Sequence, residues 1–563
     1  MAQPADLALV GGHVADVRTG VLRRAAVVIS GDRIAAVDHD TVAAGARQVL
    51  DITARVVVPG YIDPHTHIVL ANPVEFAGAL LPTGTTTAVA DALPLQILVR
   101  PDRLPALLER LAGLPMSLRW QIRLHPPAFS WEERFGLADL RALWRLPSVA
   151  AVGEVTNWRD VHDGAPDLMA KIAAAQADGM RVEGHAPGAS FERLTVLAAA
   201  GFTSCHEAVT PQEALDRLRA GLYVMLRHSP IRPDLPQLAQ AVTPELHDSP
   251  RLMLTADGPS PIFIDEQGYM DHVVRTAIQS GIPPLVALRM ATLNVATYYG
   301  MADRGEAAAG RRADLNVLRD IADPRPEIVI AGGWVVIRDG EPAVAPPAAA
   351  WDQTVWGPTG WDQAGWAQVF APVHLPRLAP EVFAPRDGIP VCRLVNDVIT
   401  EPTDAPAGPS VSAGTLLAAL VDREGRWITR CGLAGYADRL GGLASTVNTA
   451  FDLLVVGNSP ADMAAAVARV ADLGGGLAIV EDGRELLALP LDLGGAFSSR
   501  PWAEVVAANR RFNALLRDRG YRFGDPLFSL MFLAFDSLPW IRLTSRGVWD
   551  VRRRRVLAPS VPL

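Results

Sequence analysis

The residue types able to do chemistry in this chain fall where short apolar runs end. The densest segment is Pro59-Gly60-Tyr61-Ile62-Asp63-Pro64-His65-Thr66-His67. Residues two apart on a strand project to one face, so His65 and His67 point together. Two neutral imidazoles side by side are what a divalent metal ion takes from a strand end. The pair alone is also compatible with two buried histidines hydrogen-bonded to backbone. Further candidates close later runs: Glu154 after Ala151-Val152-Gly153, His185 after Val182-Glu183-Gly184, His206 after Phe202-Thr203-Ser204-Cys205, and Asp257 after Leu252-Met253-Leu254-Thr255-Ala256. Four histidines and two carboxylates, each at a predicted strand end, are ligands enough for two divalent ions. Such a donor set accepts zinc, manganese or iron alike.

The elements that must hold these residues follow from periodicity. Between residues 61 and 304, apolar runs alternate with segments of helical period, such as Asp167–Ala177 and Phe191–Ala200. Strand and helix alternating over that length predict a (β/α)8 TIM barrel, whose active site lies at the strand ends. Residues 1–60 predict strands at Leu7–Val10, Ala26–Ile29, Ile34–Val37 and Val56–Val58. Residues 305–345 return to strand character, so one small β-sandwich domain takes strands from both flanks of the barrel. Residues 346–385 form a Trp/Pro-rich linker, with Trp351, Trp356, Trp361 and Trp366 five apart. That spacing fits no helical repeat, and a linker packed against a neighbouring domain is preferred over an aromatic ligand platform. Residues 386–563 predict a separate α/β domain, with strands at Leu416–Val421, Asp452–Val456 and Leu477–Val480 around a helix at Pro460–Leu473. The fold class is therefore α/β.

Composition narrows the partners. The 563 residues carry 61 acidic and 52 basic side chains, a net charge of −9 that gives no nucleic-acid surface. The run Arg552 to Arg555 reads as a solvated face, and Gly474-Gly475-Gly476, without a P-loop lysine, as a turn. Cys205, Cys392 and Cys431 are too few and too dispersed for a disulfide framework or a thiolate zinc site. With no leader-like N-terminus and no bilayer-spanning apolar run, a cytoplasmic protein acting on a small molecule is expected, and association into a homo-oligomer such as a dimer stays open.

The order H-x-H, carboxylate, His, His, Asp resembles that of the amidohydrolase superfamily, and the resemblance extends along nearly the whole chain to its adenine deaminase family. Val152-Gly153-Glu154-Val155-Thr156-Asn157, Gly184-His185-Ala186-Pro187-Gly188 and Ser204-Cys205-His206-Glu207 are similar to that family's metal-bearing strand ends. Met290-Ala291-Thr292-Leu293-Asn294, Gly310-Arg311-Arg312-Ala313-Asp314-Leu315 and Gly441-Gly442-Leu443-Ala444-Ser445-Thr446-Val447 are similar to its later segments and terminal domain. The resemblance implies metal ligands His65, His67, Glu154, His185, His206 and Asp257, with Glu154 bridging two ions. It also implies a metal-activated water, Asp257 as proton carrier and His206 as a possible polarising donor. Many superfamily members bridge their metals through a lysine. The one lysine here, Lys171, lies mid-helix, which favours Glu154 as the bridge.

Positions beside these ligands depart from the family. Its Ile-Glu-Ser-Ser is Ile68-Val69-Leu70-Ala71 here, and its Asp-Pro-His-Glu is Asp91-Ala92-Leu93-Pro94. Its Arg-Glu-Gly-Ser is Arg227-His228-Ser229-Pro230, and its Thr-Asp-Asp-Arg is Thr255-Ala256-Asp257-Gly258. Its His-Asp-Ser-His-Asn becomes Asn448-Thr449-Ala450-Phe451-Asp452. Polar groups are lost while the ligands stay. The expectation is a hydrolase acting on a C–N bond of an amide, lactam or ring amidine other than adenine. Adenine deaminase proper and a non-catalytic binding module are the alternatives. Asp91, His125, Glu207 and His228 are candidate substrate contacts. For His125 and His228 a core histidine is the competing reading, and for Glu207 a role orienting the His206 ring or capping a helix.

Overall fold

The structure is a computed structural model that describes residues 5–39, 45–126, 129–343, 363–384, 386, 388–403 and 414–563. Its centre is a parallel sheet of eight strands in chain order. These are β1 (Tyr61–Thr66), β2 (Thr85–Asp91), β3 (Ser117–Ile122), β4 (Val149–Val155), β5 (Arg181–Gly184), β6 (Ser204–Cys205), β7 (Tyr223–Arg227) and β8 (Leu252–Thr255). Helices such as Pro166–Ala177, Phe191–Ala199 and Pro211–Arg219 connect them. Strands covered on both faces must be apolar or internally bonded throughout, and every residue of β1, β2 and β8 is buried. The last strand returns to the first through Thr255, whose hydroxyl oxygen lies 2.7 Å from Asp63 Oδ1 and 2.8 Å from the His65 carbonyl. The fold is a TIM-type barrel.

Two further sheets make the small β unit. The flanks meet where Val56–Pro59 pairs antiparallel with Leu315–Asp320, Val57 opposite Val317. Around that seam lies a shared core that includes Leu7, Leu9, Val27, Ile29, Leu315 and Ile330. Strands Val21–Arg24 and Gln48–Asp51 were not expected from the sequence. Both are sheet edges with almost every side chain exposed, so no buried face imposes the alternation that marks a strand.

The C-terminal region builds a nine-stranded, mainly antiparallel sheet among the described residues. Its central strands are Thr415–Val421, Trp427–Ala434, Gly442–Ser445, Leu453–Gly457 and Gly476–Glu481. Helix Pro460–Asp472 covers one face through Met463, Val467 and Val470. Helices Trp502–Asp518 and Pro526–Phe532 lie on the other, in a cluster that also takes in Val69, Leu70 and Ala71 of the barrel. The chain just after His67 is thus part of the C-terminal core. Leu70–Ala71 even pairs in parallel with Phe497–Ser498. Trp351, Trp356 and Trp361 lie outside the described residues. Trp366, in helix Gln363–Val369, is buried with its ring 5.8 Å from that of Phe370. Among the described residues no helix is long and apolar enough to cross a membrane.

Candidate active site

All six side chains nominated as ligands meet at the mouth of the barrel. His65 Nε2 and His67 Nε2 are 3.1 Å apart, and Asp257 Oδ1 lies 3.3 and 3.6 Å from them. A second set faces this one, with His185 Nδ1 3.3 Å from His206 Nε2. Glu154 spans the two. Its Oε1 contacts His185 Nδ1 and lies 3.2 Å from His206 Nε2, while Oε2 is 3.9 Å from His67 Nε2. The groupings His65/His67/Asp257 and His65/Glu154/His206 each bring their donor atoms close enough for one ion.

Local backbone chemistry explains how the strands deliver these groups. Gly153, with φ +121°, precedes Glu154. A Cβ there would stand 2.5 Å from the Glu183 carbonyl, so only glycine lets β4 approach β5 at that point. Asp257 sits in the left-handed region at φ 51°, which aspartate tolerates better than most residues. This turn carries its carboxylate, one residue beyond Ala256, back over the histidine pair.

A second layer of charge holds the rings. Glu183, wholly buried on β5, accepts from His206 Nδ1 at 2.8 Å and from His65 Nδ1 at 3.2 Å, and Gln121 also donates to it. One carboxylate thereby leaves the Nε2 atoms of two rings facing the centre. Sequence reading missed Glu183. The signal was present, since Glu183 and His185 are two apart and share the inward face of β5. Asp91 does the same for His67, 3.2 Å from its Nδ1, and is itself bound by Arg123 at 2.7 Å. Arg123 reaches on to Glu154 Oε2 at 2.5 Å. Glu207 accepts from Arg227 at 2.5 Å and from Arg232 at 3.2 Å, and Arg227 also donates to Asp257 Oδ2 at 2.6 Å. Asp91 and Glu207 therefore line the floor of the cavity in ion pairs.

These pairs set the ionisation. Burial would raise the Asp257 carboxyl, but the Arg227 charge and the His65 hydrogen bond hold it well below the usual carboxylate range. Burial of Glu154 is likewise outweighed by the charges of His185 and Arg123. His206 goes the other way. Burial and the neighbouring His65 disfavour its cation, yet the hydrogen bonds it donates to Glu154 and Glu183 push it up to about 10. The carboxylates Asp91, Glu154, Glu183, Glu207 and Asp257 outnumber the guanidiniums of Arg123, Arg227 and Arg232. Divalent cations among the imidazole nitrogens would balance that excess, so the residues present fit such ions.

The remaining nominations divide. His125 lines the cavity. Its Nε2 accepts from the Thr156 amide at 3.2 Å, and burial with the Arg123 charge pushes it down to about 4, so it is neutral. His228 is not among the cavity-lining residues and packs its ring 5.2 Å from that of His272. Lys171 is bound to Asp167 at 2.6 Å on helix Pro166–Ala177.

Above the floor, the cavity is closed by the C-terminal region. Phe497, Phe528, Met531, Phe532, Phe535 and Leu538 line it from that side, opposite Ile68, Val69, Leu70 and Leu93 of the barrel loops. The polar side chains in this roof are engaged internally. Thr446 Oγ1 donates to the Gly495 carbonyl and accepts from the Gly476 amide, and Asn448 bonds Asp452 O and Ala450 N. Thr449 Oγ1 lies 3.4 Å from the Met531 carbonyl.

The comparisons with known proteins agree with this architecture. Residues 56–340 match the amidohydrolase family, and residues 396–555 match the adenine deaminase C-terminal domain. An adenine deaminase of Cereibacter sphaeroides is 35% identical, covering 98% of this chain and 97% of that protein. One of Desulfatibacillum aliphaticivorans is 31% identical, covering 97% and 96%. Among solved structures, an adenosine deaminase from Xanthomonas campestris with bound zinc aligns at a TM-score of 0.45 and 16% identity, over 63% of this chain and all of that one. The non-catalytic binding module is set aside: the protein is a metal-dependent hydrolase acting on C–N bonds, and the chain belongs to the adenine deaminase family of amidohydrolases.

Proposed function

We propose that this enzyme holds two divalent ions and hydrolyses a C–N bond of an amide, lactam or ring amidine other than adenine. His65, His67 and Asp257 form one ligand set and His185 and His206 the other, with Glu154 shared between them. Bound there, the cations supply Lewis acidity to a water and to the scissile group. Asp257, oriented by Arg227, takes the proton released by that water and returns it to the departing nitrogen. An amide then gives a carboxylate and an amine, and an amidine gives a carbonyl and ammonia. His206 has Nδ1 on Glu183 and Nε2 toward Glu154, which favours a ligand over a donor to substrate.

The observation carrying the choice of substrate is the roof. A purine offers several ring nitrogens that need partners, and a roof whose own polar groups are already bonded leaves those turned toward it unpaired. Adenine itself is the second reading, favoured by the relatives that bear its name. One assay separates the two. Purified protein loaded with manganese or zinc is incubated with adenine, and ammonia is measured. Little or no release is expected, and turnover at the rate of an ordinary enzyme would establish the second reading.

A further inference from the structure

Beyond the identity of the bond cleaved, the cavity constrains what is attached to it. We infer that the substrate is a neutral molecule with an aromatic or branched aliphatic body, seated against Phe528, Met531, Phe532, Phe535 and Leu538 while its C–N bond meets the floor. This rests on the hydrolase reading above and adds the chemical class.

Three observations lead there. The cavity residues from the C-terminal region, from Val398 to Leu538, include no ionisable side chain. A carboxylate or ammonium on the distal end of a substrate would be buried without a counter-charge, which is strongly unfavourable. The guanidiniums that reach the cavity each stand in ion pairs with carboxylates, Arg123 with Asp91 and Glu154, Arg227 with Glu207 and Asp257, Arg232 with Glu207 and Asp234, although Arg227 Nε and Nη2 and Arg232 Nη2 are buried without a hydrogen-bond partner. Their charges are thus already matched by carboxylates of the site, five acidic groups against three guanidiniums. Finally, the facing wall is apolar too: Ile68 of the barrel core lines it with Val69 and Leu70, which pack into the C-terminal core. An apolar body is therefore gripped from two sides, and aromatic rings contribute most where they can stack on rings.

Phe532 and Met531 are only partly buried, so their substitution does not empty a core. The test uses the metal-loaded full chain and three probes: N-phenyl-phenylacetamide, its para-carboxylate analogue on the distal ring, and adenine. Binding is read by calorimetry and turnover by amine or ammonia release. The neutral amide is expected to bind on the order of 100-fold tighter than the carboxylate analogue. F532A should lose roughly tenfold of the neutral amide's affinity with metal content unchanged, as expected for removing one well-packed ring. M531R should narrow or reverse the preference against the carboxylate. Equal binding of neutral and charged probes, or tighter binding of adenine, overturns the inference. Should M531R misfold, F532A and the unmodified protein still decide it. Selective binding without hydrolysis of any probe would instead count against the hydrolase reading and leave the binding class standing.

Discussion

The floor and the roof of the cavity are built on opposite principles. The floor carries four imidazoles and five carboxylates within a few ångströms of one another, each tied to a partner in the barrel. The roof, contributed by the C-terminal region, carries aromatic and aliphatic side chains and hydroxyls already bonded to their own backbone. Chemistry needs the first: preorganised charge keeps its orientation while protons move. The proposed selectivity draws on the second, because an apolar, uncharged wall penalises every unpaired polar group brought against it. On the proposed reading, reaction and specificity thus sit in different parts of the chain.

Perturbing the two surfaces should give effects of different size and kind. The largest belongs to the cations. Treatment with a chelator should abolish turnover and lower thermal stability, and added zinc or manganese should restore both. Turnover that survives chelation with no metal detectable by elemental analysis would remove the chemistry assigned to the floor. Next comes the proton carrier. D257N, assayed at saturating metal because Asp257 also belongs to a proposed ligand set, should reduce kcat by about 10²–10⁴-fold, the usual contribution of a positioned acid–base group. A pre-steady-state measurement showing unchanged kcat would reassign the role.

Smaller again is the carboxylate that clamps two rings. E183Q keeps the shape but weakens the acceptor for His65 and His206, and metal affinity should fall about 10–100-fold as for other groups that orient ligands. Metal titration followed by a cobalt absorption spectrum would report it independently of activity. Unchanged affinity would confine Glu183 to a packing role.

The smallest effect concerns the roof's support. Burial, aided by the nearby Asp422 charge, pushes the Asp452 carboxyl up to about 7. A carboxyl raised in the folded state binds more protons there than in the unfolded chain, so its contribution is full in acid and is lost as pH rises through about 7. D452N should therefore be more stable than the parent at pH 8, the gap shrinking steadily as pH falls from about 7 toward the ordinary carboxylate value of about 3.9. Parallel melting curves across that range for both proteins would count against this assignment, while the floor's activity profile is expected to stay the same shape in either case.

Much of this was legible in the primary structure. H-x-H, Glu154, His185, His206 and Asp257 each end an apolar run, and parallel strands buried on both faces make such runs conspicuous. Their convergence needed no knowledge of contacts beyond the barrel rule that strand ends share one mouth. The edge strands were not legible, because exposed residues carry no burial pattern. Glu183 escaped for a different reason: inside a strand, a carboxylate two residues before a histidine declares its purpose only once His65 and His206 are seen on either side. Asp91 and Glu207 could be nominated but not understood until Arg123, Arg227 and Arg232 were found beside them.

By itself, then, the sequence determined which residues could bind cations and which strands would present them, since both follow from local period and side-chain type. Only the tertiary structure decided what closes the cavity. The roof is drawn from residues more than three hundred positions beyond His67. Its character depends on a core shared between Leu70 and helix Pro526–Phe532, and hydrophobic contact between distant segments leaves no local signature in either.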